Sequence, residues 1–125
     1  MASIDKYLNI KYKIKSSEQF DEYMKFIGIG MLQRKAANSV SPVAILTKDG
    51  DTYTFAMKTS FKDVVFSFKL NEEFIEERAD GVKVKSVVTI DGDSMIHTQT
   101  DDSGKQLIHV RTFTPEVLTV VRILP

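Results

Sequence analysis

Residues 80–105 read DGVKVKSVVTIDGDSMIHTQTDDSGK, with three glycine turns around two short alternating runs. Asp-Gly and Ser-Gly are typical of hairpins, because glycine adopts the positive φ that tight two-residue turns require. A fourth turn of this kind lies upstream, at Asp49-Gly50-Asp51. The chain from residue 42 onward is therefore predicted to form a meander of antiparallel strands, and a meander this long tends to close on itself.

The alternation of apolar and polar residues predicts nine strands and a single helical region. The helical region runs from Ser17, its predicted N-cap, to Asn38, and Gly28 and Gly30 divide it into two short helices. Neither helix is long enough to be stable alone, so both must pack on the sheet. The predicted strands are Leu8–Lys15, residues 43–48, Asp51–Lys58, Phe61–Leu70, Phe74–Arg78, Val82–Ile90, Ser94–Thr100, Lys105–Phe113 and Val117–Leu124.

Length and composition narrow the class of protein. A chain of 125 residues suits one core, so we predict a single domain over residues 1–125. The 17 basic and 17 acidic residues cancel, which gives a nucleic-acid partner no overall electrostatic support. The absence of cysteine excludes disulfides and thiolate chemistry and favours the cytosol. Without a signal peptide or a long apolar run, the chain is predicted to be cytoplasmic and soluble.

Several segments resemble the intracellular lipid-binding proteins, which include the cytosolic fatty-acid-binding proteins. These segments keep the family order from about residue 10 to residue 121. They are residues 12–24 (YKIKSSEQFDEYM), 27–30 (IGIG), 34–35 (RK), 59–62 (TSFK), 68–74 (FKLNEEF), 79–86 (ADGVKVKS) and 89–92 (TIDG).

The resemblance implies an all-β fold, an antiparallel up-and-down barrel of ten strands with a helix-turn-helix lid. It also implies a non-enzymatic carrier that binds and transports long-chain fatty acids or similar amphiphiles without a cofactor. Each buried methylene contributes about 0.8 kcal/mol, so an acyl chain is readily accommodated. The carboxylate is the difficulty, because a buried charge needs a cation or several hydrogen-bond donors.

Arg111 matches the internal arginine of the family. Periodicity alone leaves two registers open for its strand, with either the odd-numbered residues 107–113 or the even-numbered residues 106–112 pointing inward. The resemblance favours the first, which places Arg111 inside. The corresponding register of the preceding strand points His97 and Gln99 inward, as polar groups held by ordered water. Glu76 and Arg78 share a strand face, so they form either an interior or an exposed ion pair.

Further ligand-binding positions follow from the resemblance alone. Phe20, Tyr23 and Met24 match lid and pocket positions, with plain helix–barrel packing as the alternative. Phe61 matches the portal aromatic. Ala79 and Asp80 belong to the same set, and Arg122 joins the candidate ligand-binding residues through its position on the last predicted strand rather than through the resemblance.

Three cations of the lid, Lys25, Arg34 and Lys35, have two interpretations. They form an ordinary solvated face, or a basic patch that contacts anionic membranes during ligand transfer or takes part in nuclear import.

The C-terminal end departs from the family, whose tenth strand carries an Arg-x-Tyr motif that this sequence lacks after Val121. We therefore expect the first and last strands to remain unpaired, with a monomer favoured and an edge-mediated dimer as the alternative. We interpret Arg122 as a frayed terminal residue. The alternative places it near His109 and diagonal to Arg111, where both arginines share one carboxylate.

Two rival functions stay open. The first is a shortened, weakly binding variant that acts through protein interaction. The second is an enzyme that uses His97 or His109 as a base, which nothing in the sequence supports with a positioned partner. Two histidines without cysteine or a spaced carboxylate motif give no support for a metal site.

Overall fold

The computed structural model describes residues 2–18, 20–38, 42–58, 63–78 and 80–125, with side chains for all of these except residues 15–18, 20 and 36–38. A 3₁₀ helix comes first and two short α-helices follow the first strand. In chain order the elements are the 3₁₀ helix Ser3–Tyr7, β1 Tyr12–Glu18, α1 Phe20–Phe26, α2 Met31–Asn38, β2 Val43–Asp49, β3 Thr52–Lys58, β4 Val64–Phe68, β5 Phe74–Glu77, β6 Lys83–Asp91, β7 Ser94–Thr100, β8 Gln106–Phe113 and β9 Leu118–Ile123.

The nine strands form one curved sheet in the order β4-β3-β2-β1-β9-β8-β7-β6-β5. Every described ladder is antiparallel except that of β1 and β9, which run parallel with Ile14 opposite Leu118 and Glu18 opposite Val121. Because successive strands alternate in direction, the first and the ninth strand point the same way. The two strands can therefore pair only in parallel. The expectation that both of these strands remain unpaired is therefore wrong. The strands at the ends of the sheet are β4 and β5, which leaves a nearly closed barrel.

The local predictions hold better at the turns than at the start of the helical region. All four predicted turn glycines adopt positive φ, between 59° and 86°. Gly28, with φ of 86°, ends α1, and the amide of Ile29 donates to the carbonyl of Met24 at 2.9 Å. Ser17 is not an N-cap, because β1 continues to Glu18 along β9. Of the ranges described, neither helix is long and apolar enough to cross a membrane.

One end of the barrel is filled by apolar side chains. The 3₁₀ helix closes this end with Ile4, which is fully buried, and with Tyr7, whose ring stacks on Phe113 at 5.6 Å. Its Asp5 carboxylate accepts hydrogen bonds from Lys48 Nζ at 2.8 Å and from the hydroxyl of Tyr53. The packed end leaves ligand space only towards the opposite end, where the interior becomes polar.

The change from apolar to polar occurs partway along β7, β8 and β9. The inward apolar residues are Met95, Phe113, Leu118 and Val120, together with Leu107 beyond the polar stretch, and the inward polar residues are His97, Gln99, His109, Arg111 and Arg122.

Candidate functional site

A cavity of about 380 Å³ occupies the polar end of the barrel. It lies beside the separated strands β4 and β5, which contribute residues 63–67 and 74–78, and Tyr23 of α1 contributes from the lid. Its volume falls within the range of about 300–1,000 Å³ that small-molecule sites have. The cavity therefore has the size and position of a ligand site.

Arg111 is 3% exposed, and the odd-numbered residues of β8 point inward as predicted. Its Nη1 lies 3.1 Å from His97 Nδ1, and its guanidinium carbon lies 4.7 Å from the ring centre of Phe55 and 5.6 Å from that of Phe66. Its Nε has no hydrogen-bond partner, and no described carboxylate lies within 4.0 Å of the guanidinium. Burial, and secondarily the charge of Arg122, lowers the pKa of Arg111 to about 9. The cavity thus contains a cation without a counterion among the described residues.

Glu76 is the centre of a buried hydrogen-bond network. Its Oε1 accepts from Ser86 Oγ at 2.6 Å, from His97 Nε2 at 2.5 Å and from Gln99 Nε2 at 2.9 Å. Burial alone would raise the pKa of Glu76, but these hydrogen bonds outweigh it and the pKa is lowered. Because arginine only donates, Nδ1 of His97 accepts from Arg111, and the proton of His97 lies on Nε2. Burial lowers the pKa of His97, which keeps this ring neutral.

His109 continues the network. The Gln99 amide nitrogen donates to Glu76, so its Oε1 accepts from His109 Nε2 at 3.1 Å. Nδ1 of His109 then carries a lone pair and has no partner among the described groups. Burial, together with the charge of Arg111, holds the pKa of His109 well below its usual value. Both histidines are therefore neutral polar groups of the cavity wall.

Arg122 is 3% exposed and lies on the inward face of β9, so its interpretation as a frayed terminal residue is wrong. The strand remains paired through Ile123, and the ladder places Arg122 opposite His109 and one inward row away from Arg111. Its guanidinium carbon lies 4.7 Å from the ring centre of Tyr23. Burial lowers the pKa of Arg122 to about 10.

Comparison with known proteins agrees with this geometry. The model of the lipocalin / cytosolic fatty-acid binding protein family matches residues 11–121. The chain belongs to this family.

Several relatives resemble this chain over almost their whole length. The muscle fatty acid-binding protein of Schistocerca gregaria is 44% identical over 121 residues, which cover 94% of this chain and 89% of the relative. The structure of the fatty acid-binding protein from brain tissue of Drosophila melanogaster is 43% identical, with a TM-score of 0.83, and the match covers 95% of this chain and 91% of that one. The fatty acid binding protein of Schistosoma mansoni in complex with arachidonic acid has 31% identity and a TM-score of 0.81, over 98% and 90% of the two chains.

A third buried guanidinium, that of Arg78, lies next to the lid of this family member. Arg78 is 6% exposed and donates to both carboxylate oxygens of Asp80, at 2.9 and 2.7 Å. It therefore does not pair with Glu76, and both interpretations of a Glu76–Arg78 ion pair are wrong. The guanidinium carbon of Arg78 lies 4.9 Å from the ring centre of Phe26 on α1.

The remaining predicted positions divide into three groups. Tyr23, His97, Gln99, Arg111 and Arg122 all line the cavity. Met24 is fully buried but does not line the cavity, and neither does Asp80, whose carboxylate is engaged by Arg78. Phe61, Ala79 and the side chain of Phe20 lie outside the described residues.

The three lid cations do not share one environment. Lys25 Nζ lies 3.4 Å from Asp21, and Arg34 donates to the same carboxylate at 3.2 Å and to the carbonyl of Ile29 at 2.7 Å. Lys35 is exposed. Two of the three charges are therefore partly compensated within the lid.

Sequence reasoning missed the hydrogen bonds of Glu76 and the part played by Ser86. Ser86 is fully buried between Val84 and Val88 on the inward face of β6. A serine at an inward position of an otherwise apolar face was the available signal, because a buried hydroxyl needs a partner.

Proposed function

We propose that this protein binds and transports long-chain fatty acids or closely similar amphiphiles, with the acyl chain in the barrel cavity and the ionised head group at Arg111. The observation that carries the proposal is the buried Arg111 guanidinium, which lines the cavity and has no described carboxylate within 4.0 Å. A fatty-acid carboxylate supplies the missing counterion. The acyl chain contributes about 0.8 kcal/mol per buried methylene, and a long chain on the order of 10 kcal/mol before ordering costs.

Charge balance supports a ligand with a single negative charge. The charged groups in the polar end are three guanidiniums and two carboxylates, and both histidines are neutral. These groups are Arg78, Arg111, Arg122, Glu76 and Asp80. The other lining acids, Asp63 and Glu77, are exposed at the rim. Arg78 is balanced by Asp80, whereas no described carboxylate lies within 4.0 Å of Arg111, whose charge a monocarboxylate neutralises and a neutral ester does not.

The relatives support the same ligand class. The similar protein from Schistocerca gregaria is named a muscle fatty acid-binding protein, and the Schistosoma mansoni structure contains arachidonic acid. We extend that ligand class to this chain, together with a cytoplasmic, non-enzymatic carrier role. His97, Gln99 and Tyr23 are proposed as polar contacts of the head group, directly or through water. Phe20, Met24, Phe61, Ala79 and Asp80 remain candidate lid and portal positions on the family resemblance.

Membrane contact is a secondary part of this proposal. With Lys25 and Arg34 held by Asp21, the exposed Lys35 is the lid cation most available to an anionic surface. Nuclear entry through this patch remains a prediction.

The test is displacement of a fluorescent fatty-acid analogue from the delipidated protein by oleate and, separately, by methyl oleate. We expect oleate to displace the probe at least tenfold more tightly than the ester, because only the acid balances Arg111. Mass spectrometry of lipids extracted from the freshly purified protein is expected to show fatty acids at near-stoichiometric amounts. Failure of both oleate and the extraction would contradict the carrier role and favour the weakly binding alternative that acts through protein interaction.

A further inference from the structure

Arg122 connects the cavity to the lid. It projects inward from β9, lines the cavity and places its guanidinium carbon 4.7 Å from the ring centre of Tyr23 on α1. Tyr23 also lines the cavity, and the edge of its ring meets His109 with 5.4 Å between ring centres. Of the cavity-lining residues described, Tyr23 alone comes from the helical lid. Arg122 therefore contacts both the cavity and a residue of α1.

Arg122 also lies within reach of the head group proposed for Arg111. In the β8–β9 ladder Arg111 faces Val120 and His109 faces Arg122, so the two arginines are diagonal neighbours on the inner face. Diagonal positions are separated by about 7–8 Å, a span that two long side chains bridge around one carboxylate. The positive charge of Arg122 contributes to the lowered pKa of Arg111, which means that the two cations repel each other across the cavity. An anion between them is attracted by both.

We propose that Arg122 is a second head-group residue and that, through its contact with Tyr23, it makes the lid respond to the charge of the bound amphiphile. This inference rests on the proposed function, in which an ionised head group binds at Arg111. A carboxylate accepts hydrogen bonds at the edge of a guanidinium, so the face of Arg122 stays on the Tyr23 ring while its edge binds the ligand. The bound anion thus fixes the position of the Arg122 guanidinium, and this guanidinium stabilises α1 through its contact with Tyr23.

A neutral amphiphile lacks this effect. A fatty alcohol fills the same apolar space, but it brings no anion between Arg111 and Arg122 and so does not offset the repulsion between their charges. A ligand shifts a conformational equilibrium only by its differential interaction with the two states. The lid is therefore ordered more by an ionised head group than by a neutral one of equal chain length.

The chain provides a matched control for this contact. The guanidinium of Arg78 also lies over an aromatic ring of α1, that of Phe26, at 4.9 Å. Its charge is already balanced by Asp80, at 2.7 Å. Loss of Arg78 is expected to alter the lid by the same amount whichever amphiphile is bound.

The experiment is hydrogen–deuterium exchange of the amides of α1 and α2, with the delipidated full chain saturated by oleate or by oleyl alcohol. In the parent and in Arg78→Met, oleate is expected to slow exchange in α1 at least threefold more than the alcohol. In Arg122→Met and Tyr23→Leu this difference disappears. Tyr23→Phe keeps the ring and is expected to keep the difference. Arg122→Gln, which removes the charge but keeps a polar side chain, serves if the Met variant does not fold.

The outcomes separate the two proposals. Equal protection by oleate and oleyl alcohol in the parent, with both shown to be bound, overturns the coupling and leaves fatty-acid binding intact. Retention of the difference in Arg122→Met, or in Arg122→Gln, also overturns it. A parent that binds neither compound contradicts the carrier function itself.

Discussion

Replacing Arg111 by methionine is expected to have opposite effects on the stability of the empty protein and on its affinity for fatty acids. The guanidinium is 3% exposed and lacks a carboxylate partner among the described residues, so the fold carries an unbalanced charge until ligand binds. Methionine has a similar unbranched stem, is shorter and has no charge. The substitution therefore removes a buried charge that destabilises the empty barrel. It also removes the counterion of the carboxylate in the filled barrel.

The size of the stability effect follows from the pKa of Arg111, which burial lowers from its usual value to about 9. At ~1.36 kcal/mol per pKa unit, the charge costs the folded state on the order of 5 kcal/mol. Because the folded pKa lies below the unfolded one, this cost is present in full below about pH 9 and declines as the pH rises towards the pKa of the unfolded chain. The substitution also loses the contacts with Phe55, Phe66 and His97, which offsets about 3–4 kcal/mol of the stability gained by removing the charge. A net stabilisation of about 1–2 kcal/mol remains, within the range measured when buried charges are replaced by apolar groups.

The affinity effect has the reverse sign. Removing one partner of a desolvated charge pair costs about 2–4 kcal/mol, which corresponds to roughly 30- to 1,000-fold weaker binding of oleate. Binding of methyl oleate, which carries no charge, is expected to change by less than about threefold.

Urea unfolding of the delipidated protein at pH 7, followed by circular dichroism, measures the first effect, and displacement of a fluorescent fatty acid measures the second. Lys69→Met is the control, because it removes an equal charge from an exposed site whose partner Asp51 is 3.9 Å away. Its stability and affinity are expected to stay close to those of the parent. An Arg111→Met variant that is less stable when empty and binds oleate as tightly as the parent would refute the reasoning.

Three further substitutions test the remaining parts of the barrel. Glu76→Gln is expected to lose about 1–2 kcal/mol of unfolding free energy at pH 7. This deficit should shrink as the pH falls below about 4.5, because Glu76, with its lowered pKa, stabilises the fold only while it is ionised. A deficit that stays constant from pH 7 to 3.5 in urea titrations contradicts this. Asp80→Asn leaves Arg78 buried without its bidentate anion and is expected to cost about 2 kcal/mol by the same assay, whereas no loss would show that the pair is dispensable. Phe113→Ala is expected to cost about 3–5 kcal/mol while changing oleate affinity less than twofold, because Phe113 is 1% exposed in the packed end; a tenfold loss of affinity in the displacement assay would place it in the ligand site.

The strands, the turns and the inward register of β8 could be predicted from the sequence. The glycine turns set where strands end, because few other residues adopt positive φ at tight turns. The period-two alternation sets which residues share a face, and the family resemblance selects between the two possible inner faces of β8. These two signals together are sufficient to place Arg111, His97 and Gln99 inside the barrel, where all three are buried.

Interactions between distant parts of the chain required the tertiary structure. Three features depend on residues that are far apart in the sequence: the pairing of β1 with β9, the burial of Arg122 and the hydrogen bonds of Glu76. Local periodicity carries no information about which distant residues meet. Arg78 is a local case of a different kind: Glu76 and Asp80 both lie two residues from it, and only the structure shows that Asp80 is its partner. The sequence determined that the chain forms a barrel with an arginine inside. Only the three-dimensional packing decided that this arginine lacks an anion and that a second one lies between it and the lid.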